Sequence, residues 1–535
     1  MSWRGYLVLF ILSLGILLGV AAYQRAPGYM DAEYYYSLGL RLASGEGFSE
    51  PFIWNYLDDP TGLPHPSHAY WMPLASILAF LPMQMGGSLA FSTGRVSFIL
   101  VATCVPLLTA AMAYRFTPSR WAAWLAGALA LFPAFYLAYL PTSDTFGIYM
   151  LLGGLWLMVA GRPLRTSLWP KVNLSPLLLG LISGLMHLAR ADGVLWLGLS
   201  LLAGVWLEDA GVKNRALTRI KRISACLLGY LVVMGPWLVR NQVLFGAPLS
   251  PGGGRALWFV GYNELYAYPA SLLNYQRWLS SGTGAIFSVR LEALGQNLLS
   301  ALVVQAEIFL APLILMGLWR LRRDRTVQLG VLAWALILGV MSVAFPFAGA
   351  RGGFFHSAAG VQTLGWASVP VGLQVFVDWG SRRRGWRAEQ ALRFFQIGLI
   401  LLAAILSIIA VNRRVIGANW VSPIWNETQV RYTELGKAIE AAGVKHGEIV
   451  MVNNPPGYYL ATGEPSIVIP DGDIPTLLVV ARRYGARYVL LEPNHPVGLD
   501  QLYNAPGDQP GLLFLGSIGD AHLFEVLQEP TTNGV

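Results

Sequence analysis

Charge is what this chain has least of. Lys, Arg, Asp and Glu together make up 12% of its 535 residues, about half the roughly 25% of an ordinary soluble domain. That excludes a chain solvated by water along its whole length. With 55% hydrophobic residues drawn into long apolar runs, the bilayer is the solvent that suits it. Cysteine is almost missing too: Cys104 and Cys226 both lie inside apolar runs. They read as small core residues, which excludes a disulfide framework and a thiolate-held metal. The net charge of +8 does not point to nucleic acid, because the basic residues stand in short clusters between apolar runs rather than along an amphipathic face. The positive-inside rule accounts for them, and no nucleic-acid partner is expected.

What is present is a succession of apolar segments. Arg4 is followed by an apolar stretch to Ala22 without a small-residue cleavage site, the pattern of a retained signal anchor. Counting Gly5 to Ala22, the spans are Val96 to Tyr114, Trp121 to Leu140, Thr145 to Ala160, Ser175 to Ala189 and Val194 to Leu207. They continue with Ile223 to Val239, Ala293 to Leu318, Val327 to Phe347, Phe355 to Phe376 and Phe394 to Ala410. The fold class expected is therefore a polytopic α-helical membrane protein of about eleven transmembrane helices. With the N-terminus in the cytoplasm, five basic clusters fall on the cytoplasmic side. They are Arg115/Arg120, Arg162/Arg165/Lys171, Lys213/Arg215/Arg219/Lys221/Arg222, Arg320/Arg322/Arg323/Arg325 and Arg382/Arg383/Arg384/Arg387.

The same alternation puts residues 23–95, the Ser143-Asp144 turn, the tip Arg190 to Asp192, the loop 240–292, the turn holding Arg351 and everything after Val411 outside. The short spans flanking Arg190 to Asp192 are expected to form a hairpin, since a single crossing there would invert every later basic cluster. Tyr70 to Met85, with Pro73 and Pro82 near its ends, is expected to lie in the interface or re-enter the membrane rather than cross it. In the 240–292 loop, Trp258, Tyr262, Tyr266, Tyr268, Tyr275 and Trp278 suit either an interfacial aromatic belt or a lid over a sugar.

From residue 426 to 535 the composition becomes that of a small soluble α/β unit, extracytoplasmic on this topology, following a membrane domain over 1–425. A helix is expected over Tyr432 to Ala442 and another over Pro475 to Tyr484. Strands are expected at Glu448 to Val452, Ser466 to Ile469, Tyr488 to Leu491 and Leu523 to Leu527. The unit contains no Gly-rich nucleotide loop, metal-spaced His/Cys set or nucleophile elbow, so a supporting role is expected for it.

The candidate chemistry lies at the outer rim. Asp31 and Glu33 follow the first apolar run within Gly28-Tyr29-Met30-Asp31-Ala32-Glu33-Tyr34-Tyr35-Tyr36. On a helix two positions diverge by about 200°, and Asp31 is equally suited to capping that helix. Asp144 stands in Pro141-Thr142-Ser143-Asp144-Thr145, where a helix start would also account for it. Arg190 either pairs with Asp192 or clamps a phosphate through parallel hydrogen bonds, with His187 on roughly the same helical face. Arg240-Asn241 and the Arg351 to His356 stretch open on the same side. The three arginines Arg190, Arg240 and Arg351 are either snorkelling anchors or a collar for an anionic lipid headgroup.

Taken together, these elements resemble the GT-C glycosyltransferases of the ArnT and protein O-mannosyltransferase type. The resemblance runs over about residues 1 to 415. It rests on Tyr29-Met30-Asp31-Ala32-Glu33-Tyr34-Tyr35, Gly45-Glu46-Gly47-Phe48, Pro141-Thr142-Ser143-Asp144, Leu188-Ala189-Arg190-Ala191-Asp192-Gly193, and Pro236-Trp237 with Arg240-Asn241 and Gly246. It implies a GT-C-like membrane enzyme that takes a sugar from a polyprenyl-phosphate carrier, with Asp31 catalytic. Many bacterial members carry a small extracytoplasmic domain like the C-terminal unit. The family often places Asp and Glu side by side; here Ala32 intervenes, which leaves Glu33 as a candidate accessory.

The chemistry needs a base to strip the acceptor hydroxyl and positive charge to receive the departing phosphate. Asp31 suits the base and Arg190, Arg240 or Arg351 the phosphate. Asp144 either orients the acceptor or joins Asp31 in holding a divalent cation, Mg or Mn. His187, Asp192, Asn241 and His356 are candidate substrate contacts. The expected partners are the polyprenyl-phosphate-linked donor, a lipid, glycan or protein acceptor, and membrane lipids; the expected site of action is the outer face of the cytoplasmic membrane. An oligosaccharide polymerase or ligase, a flippase for lipid-linked saccharides and a non-catalytic assembly protein are the competing readings. A transporter would keep its ionisable groups near the midplane.

Overall fold

The computed structural model describes residues 1–161, 174–206 and 215–527. Arg162, Arg165, Lys171 and Lys213 of the expected cytoplasmic clusters lie outside them. Among the described residues five helices are long and apolar enough to cross a membrane: Trp3–Ala21, Phe91–Phe116, Arg215–Phe245, Arg325–Ala344 and Ala388–Ile416. Shorter apolar helices at Phe146–Ala160, Ser175–Ala189, Ala191–Val205 and Ala311–Arg320 pack among them. The bundle is apolar outside as well as in. Along the last long helix Phe394, Ile397, Leu401, Ile405 and Ile408 form an exposed stripe at three- and four-residue spacing, a face that only lipid can solvate.

The hairpin expected around residue 190 is present: Ser175–Ala189 and Val194–Trp206 are joined by the tight turn Ala191–Gly193. Small residues let it pack. A Cβ at Gly180 would lie 1.9 Å from the Cys226 carbonyl oxygen, so the helix Ser175–Ala189 approaches the helix Arg215–Phe245 backbone to backbone, as helices in lipid do.

Three expected spans are interrupted. Trp121 to Leu140 ends as a helix at Leu131, then turns at Pro133 into a 3-10 segment Ala134–Ala138. Pro133 has no N–H to donate, and the Ala134 N–H is taken by the Ser407 hydroxyl at 2.9 Å. Ala293 to Leu318 is two helices, Thr283–Ser300 and Ala311–Arg320, parted where Glu307 and Ile308 take left-handed φ of 48° and 59°. Side chains compensate there: Trp334 Nε1 donates to Gln305 at 3.0 Å and Trp366 Nε1 to Glu307 at 3.4 Å. Phe355 to Phe376 divides into Phe354–Ala358 and Gln362–Arg384. Broken backbone at membrane depth is tolerated where protein covers it.

Residues 70–85 yield the helix Leu74–Gly86. Its 13 residues span about 20 Å at 1.5 Å per residue, short of the roughly 30 Å hydrocarbon core. It packs on Met30–Ala43, the acidic helix.

The C-terminal unit is a six-stranded mixed sheet. In spatial order the strands are Phe52–Ile53, Ser466–Val468, Ile449–Val452, Ala486–Leu491, Ala521–Val526 and Leu512–Ile518, the first four parallel and the last two antiparallel. Met451 points into one core layer and Val450 and Val452 into the other, the period-two alternation of a sheet covered on both faces. Leu512–Ile518 was not among the expected strands, and Phe52–Ile53 comes from the segment between the first two long apolar helices, so membrane domain and C-terminal unit share one sheet.

Gly180→Leu is expected to destabilise the bundle by about 1 to 3 kcal/mol through overpacking, read as a lower Tm in detergent. An unchanged Tm would remove the close helix approach.

Candidate active site

The acidic helix Met30–Ala43 begins after Gly28, whose φ of 95° turns the chain, with Tyr29 as the extended residue before the first turn. Asp31 is thus the second helical residue rather than the cap, a position where the helix dipole favours a carboxylate. The 200° divergence holds. Asp31 faces a cavity and keeps 31% of its side chain exposed, whereas Glu33 is fully buried on the other side. There Glu33 accepts a 2.7 Å hydrogen bond from Asn454 Nδ2.

Asp144 sits in the turn before Phe146–Ala160, 3% exposed. Its Oδ1 accepts from the Thr145 N–H at 2.5 Å and hydroxyl at 3.2 Å, and its Oδ2 from the Tyr29 hydroxyl. His356 closes the group, with Nε2 3.1 Å from Asp144 Oδ2 and 3.9 Å from Asp31 Oδ2. The His356 ring stacks on Phe146 at 3.9 Å, and its Nδ1 lies 2.9 Å from the Gly352 carbonyl. Both ring nitrogens therefore face oxygen atoms.

Burial pushes the Asp31 carboxyl up to about 6, with the neighbouring Asp144 charge as the second cause. For Asp144 burial also pushes upward, but His356, the Tyr29 hydroxyl and Thr145 together outweigh it and hold the carboxyl below its ordinary value. The two carboxylates are thus unlike: Asp144 stays ionised and Asp31 takes up a proton first. Burial raises Glu33 to about 7 despite its bond to Asn454.

One ligand atom from each of Asp31, Asp144 and His356 lies within 4.8 Å of the others. Two carboxylates and one imidazole are donors that fit a divalent cation.

Asp31 opens onto a cavity of about 630 Å³ lined also by Tyr35, Trp54, Trp71, Arg190, Tyr262 and Arg351. Its polar groups are few and its walls mostly apolar, as in small-molecule sites generally. Trp54 and Trp71 stack face to face, centroids 3.9 Å apart. Arg190 is paired with Asp192, Nε to Oδ1 2.9 Å, and lies against the Tyr149 ring while still reaching the cavity wall. Arg351, in the turn Gly349–Gly353, lies 4.5 Å over the Tyr262 ring. His187, bonded through Nδ1 to the Tyr230 hydroxyl at 2.7 Å, Asp192 and Asn241 line the same space.

The structure brings Arg190 and Arg351 together with Asp31 and places Arg240 apart. The Arg240 guanidinium lies on the Trp237 ring at 4.3 Å and donates to the carbonyls of Ser67, at 2.9 Å, and Phe48, at 3.2 Å. Tyr29 received no role from sequence reasoning and His356 only that of a substrate contact. No local pattern marks their convergence on Asp144; the early Tyr29-Met30-Asp31 run was the nearest signal.

No protein-family model and no curated protein matches the chain. Solved structures do. ArnT from Cupriavidus metallidurans bound to undecaprenyl phosphate is similar with a TM-score of 0.57 at 13% identity, over 98% of this chain and 98% of that one. The archaeal oligosaccharyltransferase AglB from Archaeoglobus fulgidus, in complex with an inhibitory peptide and a dolichol-phosphate, gives 0.56 at 13% over 94% of this chain and 71% of that one. An Archaeoglobus fulgidus oligosaccharyltransferase in complex with Zn and sulfate gives 0.56 at 13%, over 93% of this chain and 69% of that one. At this identity the likeness is one of fold. The chain shares the fold of these proteins, a polytopic α-helical membrane architecture with a small C-terminal mixed-sheet domain.

Mn²⁺ titration followed by EPR is expected to show one site that is lost in both Asp144→Asn and His356→Ala. The same stoichiometry in both variants would remove this donor set.

Proposed function

We propose that the protein is a membrane glycosyltransferase that moves a sugar from a polyprenyl-phosphate-linked donor to an acceptor hydroxyl. The observation that carries this reading is Asp31 at the wall of a large apolar cavity that also presents Arg190 and Arg351. A free carboxylate beside guanidinium groups is the pairing that displacement of a phosphate from an anomeric carbon requires. In the proposed step Asp31 takes the acceptor proton as the acceptor oxygen bonds to the anomeric carbon. The bond from that carbon to the phosphate oxygen breaks on the opposite side, its electron pair leaves with the lipid phosphate, and the configuration inverts. Arg190 and Arg351 hold the phosphate through paired N–H donors.

Asp144 acts one layer behind, holding His356 and Tyr29 in place. A divalent cation bound by Asp31, Asp144 and His356 would add positive charge for the phosphate. GT-C folds in complexes with undecaprenyl phosphate and a dolichol-phosphate support a lipid-phosphate ligand. The acceptor is a lipid, glycan or protein.

We also propose the finer topology: eleven crossings over 1–425 in the cytoplasmic membrane, the N-terminus in the cytoplasm, and the unit 426–535 outside. It rests on the basic clusters and on the presence of the acidic residues at one end of the bundle.

Asp31→Asn, reconstituted with undecaprenyl-phosphate-linked sugars, is expected to lose turnover by at least about 100-fold, and Arg190→Ala or Arg351→Ala to raise KM for the donor by roughly 10-fold. Wild-type turnover in Asp31→Asn would sink the proposed base. Because a base must be deprotonated, kcat is expected to rise with pH through about 6, the value of the Asp31 carboxyl, and to level off above it. A rate independent of pH from 5 to 8 would assign the base elsewhere.

A further inference from the structure

The segment that carries Asp31 is gripped from two sides. On the bundle side the turn before Phe146–Ala160 holds it: Thr142 Oγ1 donates to the Pro27 carbonyl at 3.1 Å, Ser143 Oγ to the Ala32 carbonyl at 2.7 Å, and Tyr29 to Asp144. On the other side the grips belong to the entry and body of the C-terminal domain. Trp425 Nε1 donates to the Ala26 carbonyl at 3.0 Å, and its ring meets Tyr29 edge-on with centroids 5.7 Å apart. A Cβ at Gly28 would fall 2.3 Å from Trp425 Nε1, so only glycine fits beneath the indole. Asn426 adds two bonds to the main chain, accepting from the Arg25 N–H at 2.7 Å and donating to the Tyr23 carbonyl at 2.9 Å.

Seen from the helix, the second grip is Asn454. Its Oδ1 caps the helix Pro455–Thr462 by accepting from Gly457 N at 3.2 Å, which orients the amide so that Nδ2 reaches Glu33 Oε2 at 2.7 Å. Glu33 has no exposure, and its other oxygen has no hydrogen-bond partner among the described residues. A buried carboxylate with one donor loses much if that donor goes.

We propose that the C-terminal domain and the segment leading into it position the acidic centre, with Trp425 in that segment and Asn454 in the domain as positioning residues that hold the two ends of the Tyr29 to Glu33 segment in register with Asp144. The use made of that register rests on the glycosyltransferase reading; the grip itself does not. Asp31 lies between the two holds, and the acidic helix can rotate about its axis only if one of them lets go.

Hydrogen–deuterium exchange on the purified full-length protein in detergent tests this, with Asn454→Ala and Trp425→Leu as independent variants. Amides of residues 29–36 are expected to exchange at least about 10-fold faster in both, while the sheet strands Ile449–Val452 and Ala486–Leu491 keep wild-type protection. With an undecaprenyl-phosphate-linked sugar as probe, kcat is expected to fall by about 10-fold or more and KM to stay within about 2-fold. Wild-type exchange at residues 29–36 in both variants overturns the proposal, as does loosened exchange with an undiminished kcat. If the wild-type protein turns over no such donor, the transferase reading falls, and the exchange result alone decides whether Trp425 and Asn454 hold the segment.

Discussion

Two carboxylates, Asp31 and Asp144, lie close to one imidazole at the edge of a membrane bundle, and their mutual repulsion has to be answered locally. Like charges repel more strongly the more they are buried, and Asp144 is almost wholly buried. His356 answers it from between them, stacked on Phe146 and tied to the Gly352 carbonyl. Tyr29 and Thr145 direct their donors at Asp144 alone. The result is a division of labour: one carboxylate is saturated with hydrogen bonds and fixed, while the other is left free toward the cavity. In the proposed step this difference separates the base from its support, and the same carboxylate oxygens and imidazole nitrogen are donors that suit a divalent cation.

Around that centre the architecture serves the placement of a single short helix. The acidic helix sends Asp31 into the cavity and Glu33 into the C-terminal domain because two residues turn through about 200°. Phe52–Ile53, only a few residues beyond the same helix, enters the C-terminal sheet as its edge strand. The C-terminal domain is therefore joined to the membrane domain by covalent linkage at one end, by main-chain pairing at the other, and by the Asn454 amide between. The proposed positioning role of this domain rests on where it sits rather than on a motif of its own.

The helix interruptions fall where polar groups lie. The break at Glu307 and Ile308 is covered by Trp334, Trp366 and Gln362. The turn at Gly349–Gly353 sets Arg351 at the cavity wall and sends its Gly352 carbonyl to His356. Irregular backbone has unpaired groups to satisfy, and in this bundle they are met by neighbouring side chains or face the cavity.

Features set by neighbours in the chain were legible in the sequence. The apolar runs follow from local composition and the hairpin at Arg190 to Asp192 from the sides on which the basic clusters fall, while the strands Ile449–Val452, Ser466–Val468 and Ala486–Leu491 and the opposed faces of Asp31 and Glu33 follow from periods of 2 and 3.6 that act within a few residues. The interruptions were less so, because Glu307 and Ile308 carry no turn signal and are held by partners far along the chain. The site depends on still longer separations. Tyr29 meets Asp144 across 115 residues, His356 meets Asp144 across 212, and Asn454 meets Glu33 across 421. Which arginines reach the cavity was likewise a tertiary outcome, since Arg240 sits on Trp237 and gives its donors to two backbone carbonyls. By itself the sequence determined a membrane bundle and singled out Asp31, Asp144 and the arginines Arg190, Arg240 and Arg351 as candidates near the ends of its apolar segments. Only the packing of the helices decided which of those groups touch, because a hydrogen bond is set by a few tenths of an ångström in space and leaves no period in the chain.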